Sequence, residues 1–180
     1  MMKTALILLA VVVVGLLAYA ASKPDTFVVQ RSATIPTSVE KVHALINDLH
    51  QFNTWNPYNL KDPNIQGRYR GPASGPGAGY DFQGNKDVGK GSIQIVDSTP
   101  QKVTMKLDML EPFEGHNVVE FSLAPQGAST EVTWAMRGPA PFMFKLMGIF
   151  LNMDQMIGRD FDTGLANLKA KAEHTKDTHS

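Results

Sequence analysis

The 180-residue chain contains no cysteine. That absence excludes disulfide staples, a thiolate nucleophile, zinc–thiolate sites and the lipidated cysteine of a bacterial lipoprotein, and it leaves the redox compartment open. Net charge is lacking too: 17 Lys and Arg balance 17 Asp and Glu, and no stretch concentrates basic residues. A nucleic-acid binder needs a basic patch that displaces counterions from phosphate, so that class is set aside. There is no internal repeat and no metal-ligand spacing such as His-x-x-x-His. No Ser–His–Asp or paired-carboxylate arrangement is legible from spacing. What the chain does have is 43% apolar against 19% charged residues, enough for an ordinary core and too apolar for disorder. Its length suits one domain plus an appendage.

The appendage is the run from Ala5 to Ala21, unbroken apolar or small residues between Lys3 and Lys23. As a helix it would reach about 26 Å, within the usable range for a hydrocarbon core of about 30 Å. An uncleaved single-pass anchor is the leading reading. A signal segment cleaved after the small-x-small pattern Ala18-Tyr19-Ala20 is the second, leaving a secreted or periplasmic domain. A buried helix of the domain is the third. The anchor and signal readings both place the domain outside the cytoplasm, although Lys3 against Lys23 and Arg31 gives little charge asymmetry. Residues 1–24 are therefore expected to be the anchor or signal segment, 25–174 the domain, and 175–180 a polar tail.

Within the domain, Phe27 to Ile35 is rich in β-branched residues and closed by Pro36, which predicts a first strand. Thr37 or Ser38 can cap a helix whose apolar stripe is Val39, Val42, Leu45 and Ile46. A second helical turn is expected from Asp48 towards Trp55, stopped by Pro57. The following Pro- and Gly-rich region allows one strand, near Ile65 to Gly71. Then the period becomes two: Tyr80/Phe82, Ile93/Ile95, Val103/Met105/Leu107/Met109, Val119/Phe121/Leu123 and Val132/Trp134/Met136 alternate with polar residues, the pattern of an antiparallel sheet with one buried face. Turn chemistry separates these runs. Finally Leu146, Phe150, Met153, Ile157, Phe161, Leu165, Leu168 and Ala172 form one continuous helical stripe. Gly158 and Gly164 inside it cost roughly 1 kcal/mol each in helix propensity, and are explained by close approach of sheet or ligand. An α+β fold follows, a curved antiparallel sheet gripping a long C-terminal helix.

Several stretches carry a family likeness: Trp55-Asn56-Pro57-Tyr58, Tyr80-Asp81-Phe82-Gln83-Gly84-Asn85-Lys86 running into Val88-Gly89-Lys90-Gly91, Glu111-Pro112-Phe113, Thr130 to Met136, and Asp160-Phe161 with Gly164 to Lys169. From Phe27 to Ala172 the chain resembles the polyketide cyclase/dehydrase and lipid-transport group of the START-like (SRPBCC) superfamily, and within it the membrane-anchored bacterial members. The resemblance implies a helix-grip fold with an internal cavity for a lipid, polyketide or similar hydrophobe. It hands over no reaction, and no cofactor and no metal are expected.

On that basis the expected ligand-binding residues are Trp55, Tyr80, Phe82, Met105, Leu107, Phe121, Trp134, Met136, Met153, Ile157 and Phe161, with Trp55 and Tyr58 at the mouth. Methionines together suit a wall that adapts to apolar ligands, though any one of them is more simply read as core filling. Tyr80, Asn85, Lys86 and His116 are candidates for a polar head. Gly84 to Gly91 has glycines and lysine at phosphate-loop spacing, but Gly91 stands where Ser or Thr would bind magnesium and the segment joins two strands, so a glycine-rich hairpin is expected. His43, His50, Glu111, Glu114, His116 and Asp154 are the available acid–base groups. The leading expectation is a membrane-tethered binder of a small hydrophobic ligand, without nucleic acid. A cyclase/dehydrase-type enzyme and a non-catalytic envelope interaction protein are the alternatives.

Overall fold

A computed structural model describes residues 2–174; the expected tail at 175–180 lies outside the described residues. Helix α1 (Met2–Ala21) is followed after four residues by β1 (Thr26–Ile35). Three short helices come next, α2 (Val39–Asn47), α3 (Leu49–Asn53) and α4 (Pro57–Leu60). Six strands follow: β2 (Gln66–Arg70), β3 (Gly79–Gln83), β4 (Lys90–Thr99), β5 (Lys102–Glu111), β6 (Gly115–Gln126) and β7 (Ser129–Pro139). Helices α5 (Phe142–Phe150) and α6 (Met153–His174) close the order.

All seven strands form one antiparallel sheet in the order β1-β7-β6-β5-β4-β3-β2. The alternation of the sequence becomes its two faces. Val103, Met105, Val119, Phe121, Leu123, Val132, Trp134 and Met136 are buried on the inner one, with α6 and the short helices packed over it. Phe161, Leu165, Leu168 and Ala172 are the buried stripe of α6. Asn167 Nδ2 donates to the Trp55 carbonyl (3.1 Å), fixing α6 against the segment that follows α3.

Two boundaries differ from expectation. Pro57 does not stop a helix but opens one: Asn56 Oδ1 accepts from the Tyr58 N–H (3.3 Å), and proline fits a first-turn position that needs no N–H donor. The C-terminal stripe is not continuous either. Leu151 is extended and Asn152 caps a new helix, its Oδ1 accepting from the Gln155 N–H (2.9 Å). An Asn N-cap supplies an acceptor to a first-turn N–H, which hydrophobic periodicity alone does not reveal. Leu146 and Phe150 therefore belong to α5, which has no buried residue and packs against α1.

The close approach expected at the helix glycines is present. A Cβ on Gly164 would lie 2.5 Å from a ring carbon of Trp134 and 2.9 Å from Pro57 Cδ. A Cβ on Gly158 would fall on the Arg31 guanidinium, which reaches across α6 to Asp154 (2.9 Å) and Asp162 (3.6 Å). That hydrogen-bonded ion pair lowers the Asp154 pKa and raises that of Arg31.

Candidate functional site

The space between sheet and α6 is half filled. Towards the edge where β1 ends, a cluster of edge-to-face and stacked rings occupies it: Trp55 lies 4.9 Å from Phe52 and 6.0 Å from Phe121, and Phe121 lies 4.9 Å from Trp134. Trp55 is 1% exposed and its Nε1 donates to the Leu45 carbonyl (2.9 Å), so it stands in the core and not at a mouth. Phe121 is fully buried within that cluster, and Met105, also fully buried, is packed in the core and does not line the open space. Ile157 packs against the core from the first turns of α6, and Met153 borders a separate cleft beside α5. These five expected ligand-binding residues lie outside the open space.

Towards the other edge a cavity of about 280 Å³ remains. The sheet contributes Tyr80, Phe82, Ile93, Leu107, Met109, Asn117, Val119, Trp134 and Met136, and α6 contributes Phe161, whose ring stacks on Trp134 at 4.2 Å. The short helices add Phe52, Asn53, Asn56, Tyr58 and Asn59. Six expected residues thus meet here: Tyr80, Phe82, Leu107, Trp134, Met136 and Phe161. Tyr58 also lines it, as expected. Met109, Ile93 and Val119 stand in the same alternating runs, and Asn117 lies one step before Val119, so period two could have placed all four. The three asparagines of the short helices carry no such signal.

The mouth is formed by the β3–β4 hairpin, with Lys86, Asp87 and Val88, and by Pro112 of the β5–β6 turn. The Walker-like stretch is this hairpin; no helix follows it. Gly89 has φ +76° and its Cα faces the Glu111 carbonyl so closely that a side chain has no room. Asp62, 7% exposed, accepts from the Asn85 N–H (2.7 Å) and the Asn64 N–H (2.9 Å), tying the hairpin to the segment after α4. Asn85 is committed to that joint, its Nδ2 donating to the Lys61 carbonyl (3.3 Å) while its Oδ1 accepts from the Asp87 N–H within the hairpin (2.9 Å).

The cavity's ionisable groups are few. Burial pushes the Tyr58 phenol well above its ordinary pKa, and the neighbouring Asp160 carboxylate adds to the shift. Burial raises Tyr80 as well, against a hydrogen bond from Asn59. Both remain neutral phenols near pH 7. Lys86 and Asp87 stand exposed at the rim. None of the described histidines lines the cavity: His43 Nε2 bonds Ser98 Oγ (3.0 Å), His50 stacks on Tyr69, His116 pairs with Asp108 (2.6 Å) on the outer face of the sheet, and His174 ends α6. His116 is therefore not placed to meet a bound polar head. Two buried atoms of lining residues have no hydrogen-bond partner, Trp134 Nε1 and Asn53 Oδ1. Leaving such an atom unpaired costs roughly 1–3 kcal/mol.

A curved antiparallel sheet wrapped on a C-terminal helix, with an apolar cavity beneath that helix, defines the helix-grip class. The family model described as polyketide cyclase/dehydrase and lipid transport matches residues 26–173, and the chain belongs to that family. Among solved structures, protein CV1439 from Chromobacterium violaceum shares 14% identity at TM-score 0.58, over 84% of this chain and 99% of that one. Mll3558 from Rhizobium loti shares 19% at TM-score 0.56, over 81% and 96%. A protein from Rhizobium leguminosarum shares 9% at TM-score 0.60, over 83% and 95%. These likenesses show the fold alone. A search of curated proteins finds no match to the chain.

Proposed function

We propose that the protein binds a small hydrophobic ligand in the cavity between the sheet and α6, and that α1 holds this domain at a membrane, on its extracytoplasmic side. The observation that carries the binding reading is the unfilled apolar space of about 280 Å³ bounded by Leu107, Val119, Trp134, Met136 and Phe161. Packed cores rarely leave voids much larger than a water molecule, and ligand pockets start at about 300 Å³. The ligand is correspondingly small, a short chain or one or two rings.

Burying an eight-carbon chain gains about 6 kcal/mol at ~0.8 per methylene, while association costs at least ~4 kcal/mol. Apolar contact alone therefore gives weak affinity. Polar groups of the lining supply the missing term: Asn56, Asn59, Asn117 and the phenols of Tyr58 and Tyr80 border the cavity, where a ligand carbonyl or hydroxyl can hydrogen-bond. A small amphiphile fits better than a pure hydrocarbon.

The anchor reading is supported by α1 itself, 20 residues with mean hydropathy 2.6 over its most apolar window and almost no burial against the domain. An enzyme of the cyclase type needs a proton-transfer group tuned to its working pH and facing the ligand; burial pushes the lining phenols of Tyr58 and Tyr80 further from neutrality, and Lys86 and Asp87 stand at the exposed rim, which favours binding over catalysis.

Native mass spectrometry of the full chain released from detergent micelles tests the binding reading. The wild type is expected to retain or take up a short-chain alcohol or ketone. Leu107→Trp, which fills the cavity, is expected to lose that uptake without a lower melting temperature. Equal uptake by both proteins would refute the assignment of the site.

A further inference from the structure

Every strand end that borders the cavity mouth lies on one edge of the sheet. Thr26 pairs with Pro139, Val118 with Arg137, Met109 with Gly115, Lys90 with Glu111 and Gln83 with Lys90. The start of β1, the end of β7, the β5–β6 turn and the β3–β4 hairpin are thus neighbours along that edge. The start of β1 is also where α1 arrives, so the span-length helix and the cavity mouth share one side of the domain.

The same edge is unusually apolar on its outside. Helix α5, set between β7 and α6, packs against α1 and seats Phe144 on Phe27 of β1, ring to ring at 4.9 Å. Leu146, Met147 and Ile149 are half-buried, whereas Phe142 and Met143 are exposed, as is Leu151 just beyond the helix, and Phe150 is 71% exposed. Across the edge, Phe113 at the β5–β6 turn is 60% exposed. Exposed aromatics in such number mark an interaction surface. Beside them Lys23 lies over the Tyr19 ring at 4.5 Å, a basic–aromatic pair at the end of α1 of the kind that belongs at a lipid headgroup boundary.

We propose that this edge is a membrane-docking surface: α5, Leu151 and Phe113 rest in the headgroup–acyl boundary of the bilayer from which α1 emerges, and the cavity opens onto that bilayer. The inference rests on α1 being a membrane span. What selects a bilayer over a second protein is continuity. Helix α5 lies directly against α1, so the exposed apolar side chains of α5 adjoin the span itself. A ligand passing between cavity and membrane then crosses no bulk water, as a sparingly soluble amphiphile requires.

The cysteine-free chain permits single-cysteine labelling without background. The full chain is placed in phosphatidylcholine/phosphatidylglycerol liposomes with an environment-sensitive fluorophore at one of four positions: Phe150→Cys, Phe113→Cys, Gln101→Cys at the opposite edge, or Val12→Cys inside α1. Nitroxide-bearing lipids and aqueous iodide serve as quenchers. The expected result is severalfold stronger nitroxide quenching at positions 150 and 113 than at 101, with iodide showing the reverse. If 12 is quenched by nitroxide while 150 and 113 behave like 101, the docking inference fails and the anchor stands. If 12 itself escapes nitroxide quenching, the anchor reading fails and the docking falls with it. Shielding of 150 and 113 from both quenchers would mean that protein covers the edge, which also overturns the proposal.

Discussion

Gly158 and Gly164 sit six residues apart in one helix, yet replacing each by alanine should have opposite consequences. Both substitutions gain about 1 kcal/mol of helix propensity, so that contribution cancels when the two variants are compared. At position 158 the new methyl meets the tip of Arg31, a side chain 26% exposed whose guanidinium can swing aside. The loss is at most that of a surface ion pair, about 0–1 kcal/mol. At position 164 the methyl meets Trp134 at 2.5 Å and Pro57 at 2.9 Å. Neither can yield: Trp134 is held between Phe161 and Phe121, and Pro57 is buried at the start of α4. Overpacking of that kind costs about 1–3 kcal/mol. Gly158→Ala should therefore be as stable as the wild type or more so, and Gly164→Ala should fall below Gly158→Ala by most of that 1–3 kcal/mol. For a domain of this size each kcal/mol shifts the melting temperature by roughly 2–4 °C. Thermal unfolding by near-ultraviolet circular dichroism reads both stability and the displaced indole. Equal melting temperatures for the two variants would refute the packing argument.

Trp55→Phe leaves the buried Leu45 carbonyl without its donor and should lower the unfolding free energy by about 1–3 kcal/mol; an unchanged urea midpoint would contradict this. Phe161→Ala removes one wall of the cavity and the partner of Trp134, and should cost about 3–5 kcal/mol while admitting bulkier ligands; unaltered stability and ligand range in parallel titrations would count against it. The Asp108 pKa is lowered first by its hydrogen bond with His116, and Lys106 adds to the effect. Its contribution to stability is thus present above the unfolded carboxylate value of about 3.9 and is lost as pH falls through the lower folded value. Asp108→Asn should remove that part of the acid limb, and superimposable acid-unfolding curves for the two proteins would show that the pair contributes nothing.

The sheet was legible because each strand writes its inner face in alternate residues. Val119, Phe121 and Leu123 name their own orientation, whatever the neighbouring strand does. The helices were less so. Stripe continuity ran Leu146 and Phe150 into α6, since periodicity sees apolar spacing and not the Asn152 cap that restarts the helix. The cavity was half legible for a related reason. Alternation says that Met105 and Leu107 both point inward. It does not say that Phe52 of α3 and Trp55 just after it pack on Phe121 as a ring cluster, while Leu107 is left facing a void. Which inward residues line a cavity is decided by what the opposing layer inserts, and short helices of five residues carry too little pattern to announce it.

The brevity of the joint between α1 and β1 has a consequence for range. Four residues, 22–25, separate the two elements, and a fully extended chain covers no more than about 17 Å from the end of one to the start of the other. With α1 in a bilayer, the domain is confined to a thin shell above that single leaflet. So tethered, it would be too short-leashed to ferry a ligand to a second membrane, and exchange with anything distant would depend on a carrier that comes to it.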